Sequence, residues 1–145
     1  MVQTEKTLSL AKQTLYLVSA HTAIFVFLNY CHGKIDQLFF LMSHTPIILI
    51  FCLAPLAAVL FLSTQSARQG AVILLGILPA ELIYNVYVRF TASKPFNVLE
   101  PALVWKILYE GSFGAVLVLE VISFWVTFKL LREIHKQLIL PSENP

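Results

Sequence analysis

Charge is what this sequence has least of. Only 12% of its 145 residues are charged, against 58% that are hydrophobic. A soluble domain carries about 25% charged residues, because its surface faces water. An ordinary water-facing surface is therefore excluded. Disorder is excluded by the same figures, since a disordered chain is poor in apolar residues. With a mean hydropathy of +0.79, the class left is a polytopic membrane protein. Ten Lys/Arg stand against eight Asp/Glu, a net charge of +2. No segment gathers the basic residues of a nucleic-acid reader, so no nucleic-acid partner is expected.

Cysteine is nearly absent. Cys31 and Cys52 are too far apart in the chain for a paired zinc or redox motif, and each reads as a small buried apolar side chain. No Ser-His-Asp constellation, H-E-x-x-H helix or phosphate-binding loop occurs. No lipidation motif is visible, with Val2 in second place and "PSENP" at the end. The start, "MVQTEKTLSLAKQT", is polar and lacks the pattern of a secretory leader. The first apolar run is expected to stay as a membrane helix. Glycine is sparse too, with five in all. Gly111, Ser112 and Gly114 offer small surfaces for helix approach, but they do not form the G-x-x-x-G dimerisation pattern. The two halves of the chain share no repeat.

What is present is apolar length. Crossing the bilayer takes about 20 mostly apolar residues, enough for roughly 30 Å of hydrocarbon. Four runs meet that need, at about 15–31, 38–62, 70–90 and 105–128. The start of the fourth lies between Leu99 and Gly111. The breaks "HGKIDQ", "STQSARQ" and "TASKPFN" are short, so consecutive helices should be antiparallel neighbours. The expected architecture is an all-α, four-helix transmembrane bundle forming a single domain over 1–145.

Orientation follows from Lys and Arg. Lys6, Lys12, Arg68, Lys129, Arg132 and Lys136 fall on one side. Lys34, Arg89, Lys94 and Lys106 fall on the other. The excess puts both termini in the cytoplasm, in a plasma or inner membrane. The stretch "KLLREIHKQL" should continue the fourth helix as a basic amphipathic tail, about 129–140, that anchors on the inner face or docks on anionic lipid. Tyr30, Tyr87, Trp105 and Tyr109 fall near the outer interface and Trp125 near the inner one, the levels these side chains favour.

Polar residues inside such runs mark packing or function. The stretch "LPAELIYNVYVRF" carries Glu81, Asn85 and Arg89 at steps of four, on one stripe of the third helix. At about 1.5 Å per residue, Glu81 lies roughly 16 Å from the inner edge, Asn85 roughly 22 Å and Arg89 roughly 28 Å. On the fourth run Glu120 lies at roughly 12 Å and Glu110 at roughly 27 Å. Arg89 and Glu110 are therefore expected to form an outer ion pair, unless Arg89 snorkels outward. Glu81 and Glu120 share the middle level. A lone carboxylate there should be protonated, because desolvation disfavours its charged form. Two together could share one proton or hold a cation; they could also be neutral and serve as interhelical glue, or contact a polar headgroup or ligand. Pro79, two residues before Glu81, frees the Leu75 carbonyl and favours a kink; Pro55 does the same in the second run.

Four histidines raise the question of haem or metal. His21 lies roughly 9 Å in and His44 roughly 27 Å from the inner edge, so they cannot face each other across one iron. His32 and His44 are nearly level, with Cys31 and Asp36 close by, and form a weak outer candidate for a metal. His135 belongs to the solvated tail. No cofactor is expected.

Three functional classes fit. The first is a non-catalytic interaction or accessory subunit, whose partners are the lipid bilayer and another membrane protein or a second copy of itself. The second is a small proton- or cation-coupled transporter or channel subunit using Glu81 and Glu120, with Asn85 beside them. The third is a lipid-site enzyme at the outer interface, drawing on Asp36, Arg89, Lys94, Glu100, Lys106 and Glu110. The lack of any catalytic motif favours the first and speaks against an enzyme.

Overall fold

Four α-helices make up every described residue: α1 Glu5–Asp36, α2 Phe39–Leu62, α3 Ala67–Thr91 and α4 Leu103–Ile139. The computed structural model describes residues 5–36, 39–62, 67–91 and 103–139, with the backbone alone at 35–36, 39–45 and 88–91. No strand occurs among the described residues. Each helix packs on its neighbour in sequence, and α1 also packs on α4, the most extensive pairing. The result is the all-α, four-helix bundle expected.

A single periodicity builds it. The buried positions of α1 are Thr7, Ala11, Thr14, Val18, His21, Phe25, Leu28 and His32, together with Thr22 and Cys31 beside the line. The main series steps by four and three in strict alternation. The same rhythm carries Ala67, Ala71, Leu74, Leu78, Glu81 and Asn85 on α3, and Ser112, Val116, Glu120, Ser123, Thr127, Leu130 and Ile134 on most of α4. On α2 it carries Phe51, Ala58 and Leu62. A repeat of 3.5 keeps one stripe of a helix on its partner and is the seam of left-handed bundle packing. The outward faces are apolar too. Leu53, Leu60, Ile83, Leu103, Ile107 and Val121 are all exposed.

Three of the helices are long and apolar enough to cross a membrane, by length and composition: Glu5–Lys34, Ala67–Tyr87 and Leu103–Ile139. The apolar segment of α2 counted with them, Pro46–Leu62, is shorter.

Helix α1 begins ten residues before the first apolar run and continues past it. Its polar start is helical because its seam side finds a partner. Thr7, Ala11 and Thr14 pack toward the end of α4, where Leu130 and Ile134 are buried. Gln137 Nε2 donates to Thr7 Oγ1 at 2.6 Å, and Lys6 reaches Glu133 at 3.2 Å. Helix α4 accordingly runs on through the basic tail, as the sequence indicates. Three buried hydroxyls are satisfied within their own helix: Thr14 donates to the Leu10 carbonyl, Thr22 to that of Val18, and Ser112 to that of Leu108. Such back-bonding lets a hydroxyl sit in apolar surroundings.

Prolines 46 and 55 lie inside α2 and Pro79 inside α3, and both helices continue through them. Helices α2 and α3 approach closely at Gly70. A Cβ there would stand 2.6 Å from the Ala58 carbonyl oxygen and 2.9 Å from the Leu62 nitrogen. Gly111 and Gly114 differ from the expectation of close approach. A Cβ on either would meet nothing within 4 Å, because both sit on the outer face of α4 while Ser112 takes the seam.

At one end of the bundle, Tyr30 and Trp105 meet edge to face at 6.0 Å, and Lys34 lies 5.4 Å over the Tyr30 ring. Toward the other end, Trp125 stacks on Phe128, with Lys129 5.1 Å over its ring. Aromatic rings capped by cations at both levels are what membrane interfaces select.

Candidate functional site

The polar centre of the bundle is built from three helices. His21 of α1, Glu81 of α3 and Glu120 of α4 all occupy seam positions. Their side chains are 0%, 0% and 1% exposed. His21 Nε2 lies 3.6 Å from Glu81 Oε1 and 3.5 Å from Glu120 Oε1. One ligand atom from each residue falls within 4.8 Å of the other two. Asn85, one turn along α3 from Glu81, donates from Nδ2 to Glu120 Oε1 at 2.9 Å.

That amide bond is the cluster's one short internal contact among the described residues. Both ring nitrogens of His21, both oxygens of Glu81 and Oε2 of Glu120 are buried without a hydrogen-bond partner. Buried polar atoms in folded proteins are satisfied with few exceptions, and each orphan costs about 1–3 kcal/mol. Five in one place is a concentration that packing does not require. Ionised together, the two carboxylates would repel each other in a medium of low dielectric. The cluster is compatible with burial when protons or a cation offset that charge.

The surroundings are apolar on one side and polar along the seam. The imidazole stacks on Phe25, ring centres 6.2 Å apart, and Phe25 meets Phe51 edge-on. Between α3 and α4 a partly open cavity of about 220 Å³ is lined by Leu78, Pro79, Leu82, Glu120, Val121 and Phe124. Val121 and Phe124 are on the exposed face of α4. The cavity is partly open, and Glu120 is among its lining residues. Pro79, the proline of the sequence stripe, lines it as well. In the other direction, Ser123 and Thr127 follow Glu120 along the α4 seam toward the basic tail. Both are fully buried, and their hydroxyls have no hydrogen-bond partner.

Of the residues singled out from sequence, Glu81, Glu120 and Asn85 are brought together. The expected Arg89–Glu110 pair lies outside the described residues, because the Arg89 side chain is not among them; Glu110 itself is exposed. The His32–His44 pair lies outside them in the same way, through His44 and Asp36. His32 is buried against the Tyr109 ring at 5.2 Å. Cys31 is buried and Cys52 half-buried, both as free thiols. Of the outer acidic and basic set, the side chains of Lys106 and Glu110 are described, and both are exposed.

His21 is the member that sequence reasoning missed. Its depth of roughly 9 Å rules out a haem pair with His44 but is close to the roughly 12 Å of Glu120. The seam rhythm would have found it, since His21 holds the same repeat as Val18 and Phe25. Comparison with protein-family models, curated proteins and solved structures finds no match for this chain.

Proposed function

We propose that this chain is a multi-pass integral membrane protein, crossing the bilayer four times with both termini cytoplasmic, whose core binds protons or cations at His21, Glu81 and Glu120. In this role it serves as a small proton- or cation-coupled transporter or channel subunit. The observation that carries the reading is the meeting of one imidazole and two carboxylates, fully buried, with ligand atoms within 4.8 Å of one another.

The physical case rests on charge. Two ionised carboxylates and a neutral imidazole sum to two negative charges in a medium that solvates none of them. One proton on His21 or on a carboxyl leaves a single negative charge; a second proton, or a divalent cation, neutralises the set. A group whose charge must be supplied from outside suits a site that loads and unloads an ion. Glue would be satisfied by a hydrogen-bonded pair, as Asn85 and Glu120 form. Glu81 has no such partner and adds only cost. The unpartnered hydroxyls of Ser123 and Thr127 extend the polar seam toward the basic end and favour that direction for exchange.

The accessory-subunit reading draws on the large exposed apolar surface, which lipid covers equally well. The outer lipid-site enzyme reading has no cluster among the described residues to carry it.

The experiment is proton flux in proteoliposomes under an imposed gradient. Flux should be present with the native chain and fall to background with Glu81→Gln, the protein remaining folded and inserted. Flux unchanged by that substitution removes the cluster from the function.

A further inference from the structure

We propose that His21, Glu81 and Glu120 ligate one divalent first-row transition ion, with Zn²⁺ the best-fitting probe. The proposal rests on reading the cluster as an ion site, and it names the ion.

Geometry comes first. Metal-bound nitrogen and oxygen atoms sit about 2.0–2.2 Å from Zn²⁺. Two ligands of a tetrahedral ion are then about 3.4 Å apart. The observed nitrogen–oxygen separations, 3.5 Å and 3.6 Å, match two edges of that tetrahedron. They are also too long for good hydrogen bonds. The third edge, between the carboxylates, lies within 4.8 Å and closes by rotation of a glutamate side chain. Three protein ligands leave one position of a tetrahedral ion open, which is the pattern of sites that exchange a ligand rather than of closed structural sites.

The second support is independent of the spacing. His21, Glu81 and Glu120 are essentially inaccessible, and five of their polar atoms have no hydrogen-bond partner. An ion at the centre accepts lone pairs from all three side chains at once. It also leaves the core electrically neutral, since two carboxylates and a divalent cation cancel.

The donor set chooses the class of ion. One imidazole with two carboxylates suits Zn²⁺, Mn²⁺ or Fe²⁺. Mg²⁺ and Ca²⁺ favour sites built wholly from oxygen and keep more ligands. Copper(I) favours thiolate and thioether sulfur. The thiol of Cys52 on α2 is half-buried and free, so sulfur in the shell is an outcome that spectroscopy reads directly.

The test uses the full chain, purified in detergent and stripped with a chelator. Zn²⁺ titrated calorimetrically should bind at one ion per chain. Mg²⁺ should bind at least about 100-fold more weakly. Glu81→Gln and Glu120→Gln should each weaken Zn²⁺ by at least about tenfold, with helical content unchanged. X-ray absorption of the native zinc complex needs no variant, and it should show one imidazole with oxygen neighbours and no sulfur. No binding, binding that survives both substitutions, or sulfur in the shell would overturn the proposal. The flux assay in chelator separates this claim from the one beneath it. Chelator-resistant flux that needs Glu81, without Zn²⁺ binding, sinks the metal site alone. Zn²⁺ bound by the cluster while flux ignores Glu81 supports the metal site and sinks the transport reading alone.

Discussion

Asn85 on α3 gives its amide hydrogen to Oε1 of Glu120 on α4 across 2.9 Å, inside the bundle. The bond fixes which oxygen of Glu120 is occupied and turns Oε2 toward a position with no partner. Asn85→Leu removes the donor and leaves a buried acceptor unpaired, at a cost of about 1–3 kcal/mol in stability. If the cluster binds Zn²⁺, the same change should lower affinity by about 10–100-fold, as loss of an outer-shell partner does. Thermal unfolding and calorimetry of the variant read the two effects separately.

Glu81 gives the opposite sign. Both of its oxygens lack hydrogen-bond partners, so Glu81→Gln discards no bond and puts a group that cannot ionise in its place. In metal-free protein the variant should be as stable as the native chain, or more stable by about 1 kcal/mol. Were Glu81 structural glue, the substitution would lower the melting temperature. Stability given up at a site is the usual accompaniment of function there.

Gly70 permits the α2–α3 contact. Adding a methyl group 2.6 Å from the Ala58 carbonyl oxygen forces the helices apart, because both contacts are backbone. Gly70→Ala should destabilise by about 1–3 kcal/mol. Gly111→Ala and Gly114→Ala meet nothing within 4 Å and should gain up to about 1 kcal/mol from better helix propensity. Melting of the three variants side by side checks the contrast.

Glu133, in the basic tail that follows the expected fourth crossing, is paired with Lys136 at 3.0 Å and Lys6 at 3.2 Å. Hydrogen bonds from these two ammonium groups, Lys136 first, hold its carboxyl below the ordinary glutamate range. A depressed carboxyl contributes stability that is present above its unfolded value and is lost as pH falls through its folded value. The melting difference between native protein and Glu133→Gln should therefore exist at neutral pH and vanish in acid. It should also shrink in high salt, because the partners are exposed.

Much of the molecule was legible in the sequence through bulk hydropathy. The four helices, their short connections and the shared level of Glu81 and Glu120 all follow from apolar length and a rise of about 1.5 Å per residue. The four-residue steps also put Asn85 on the stripe of Glu81. Hydropathy was blind to what polar seam residues do. Thr7 and Thr14 belong to the polar start of the chain, yet they continue the α1 seam because the α4 tail is there to cover them. His21 was hidden for the same reason. A seam made of threonine, alanine and histidine carries a weak apolar signal, and its 3.5 rhythm shows only when polar and small residues are counted with the apolar ones. Gly111 and Gly114 misled in the other direction, since small residues mark close approach only when they fall on the seam.

On the proposed function, the buried carboxylates exchange a proton or cation and are not inert. Infrared difference spectroscopy of the metal-free protein observes a protonated carboxyl directly through its C=O stretch. A buried carboxyl band should fall reversibly as pH is raised and be absent from the Glu81→Gln, Glu120→Gln double variant. A band that stays constant with pH, or one that survives both substitutions, would rule out exchange at Glu81 and Glu120.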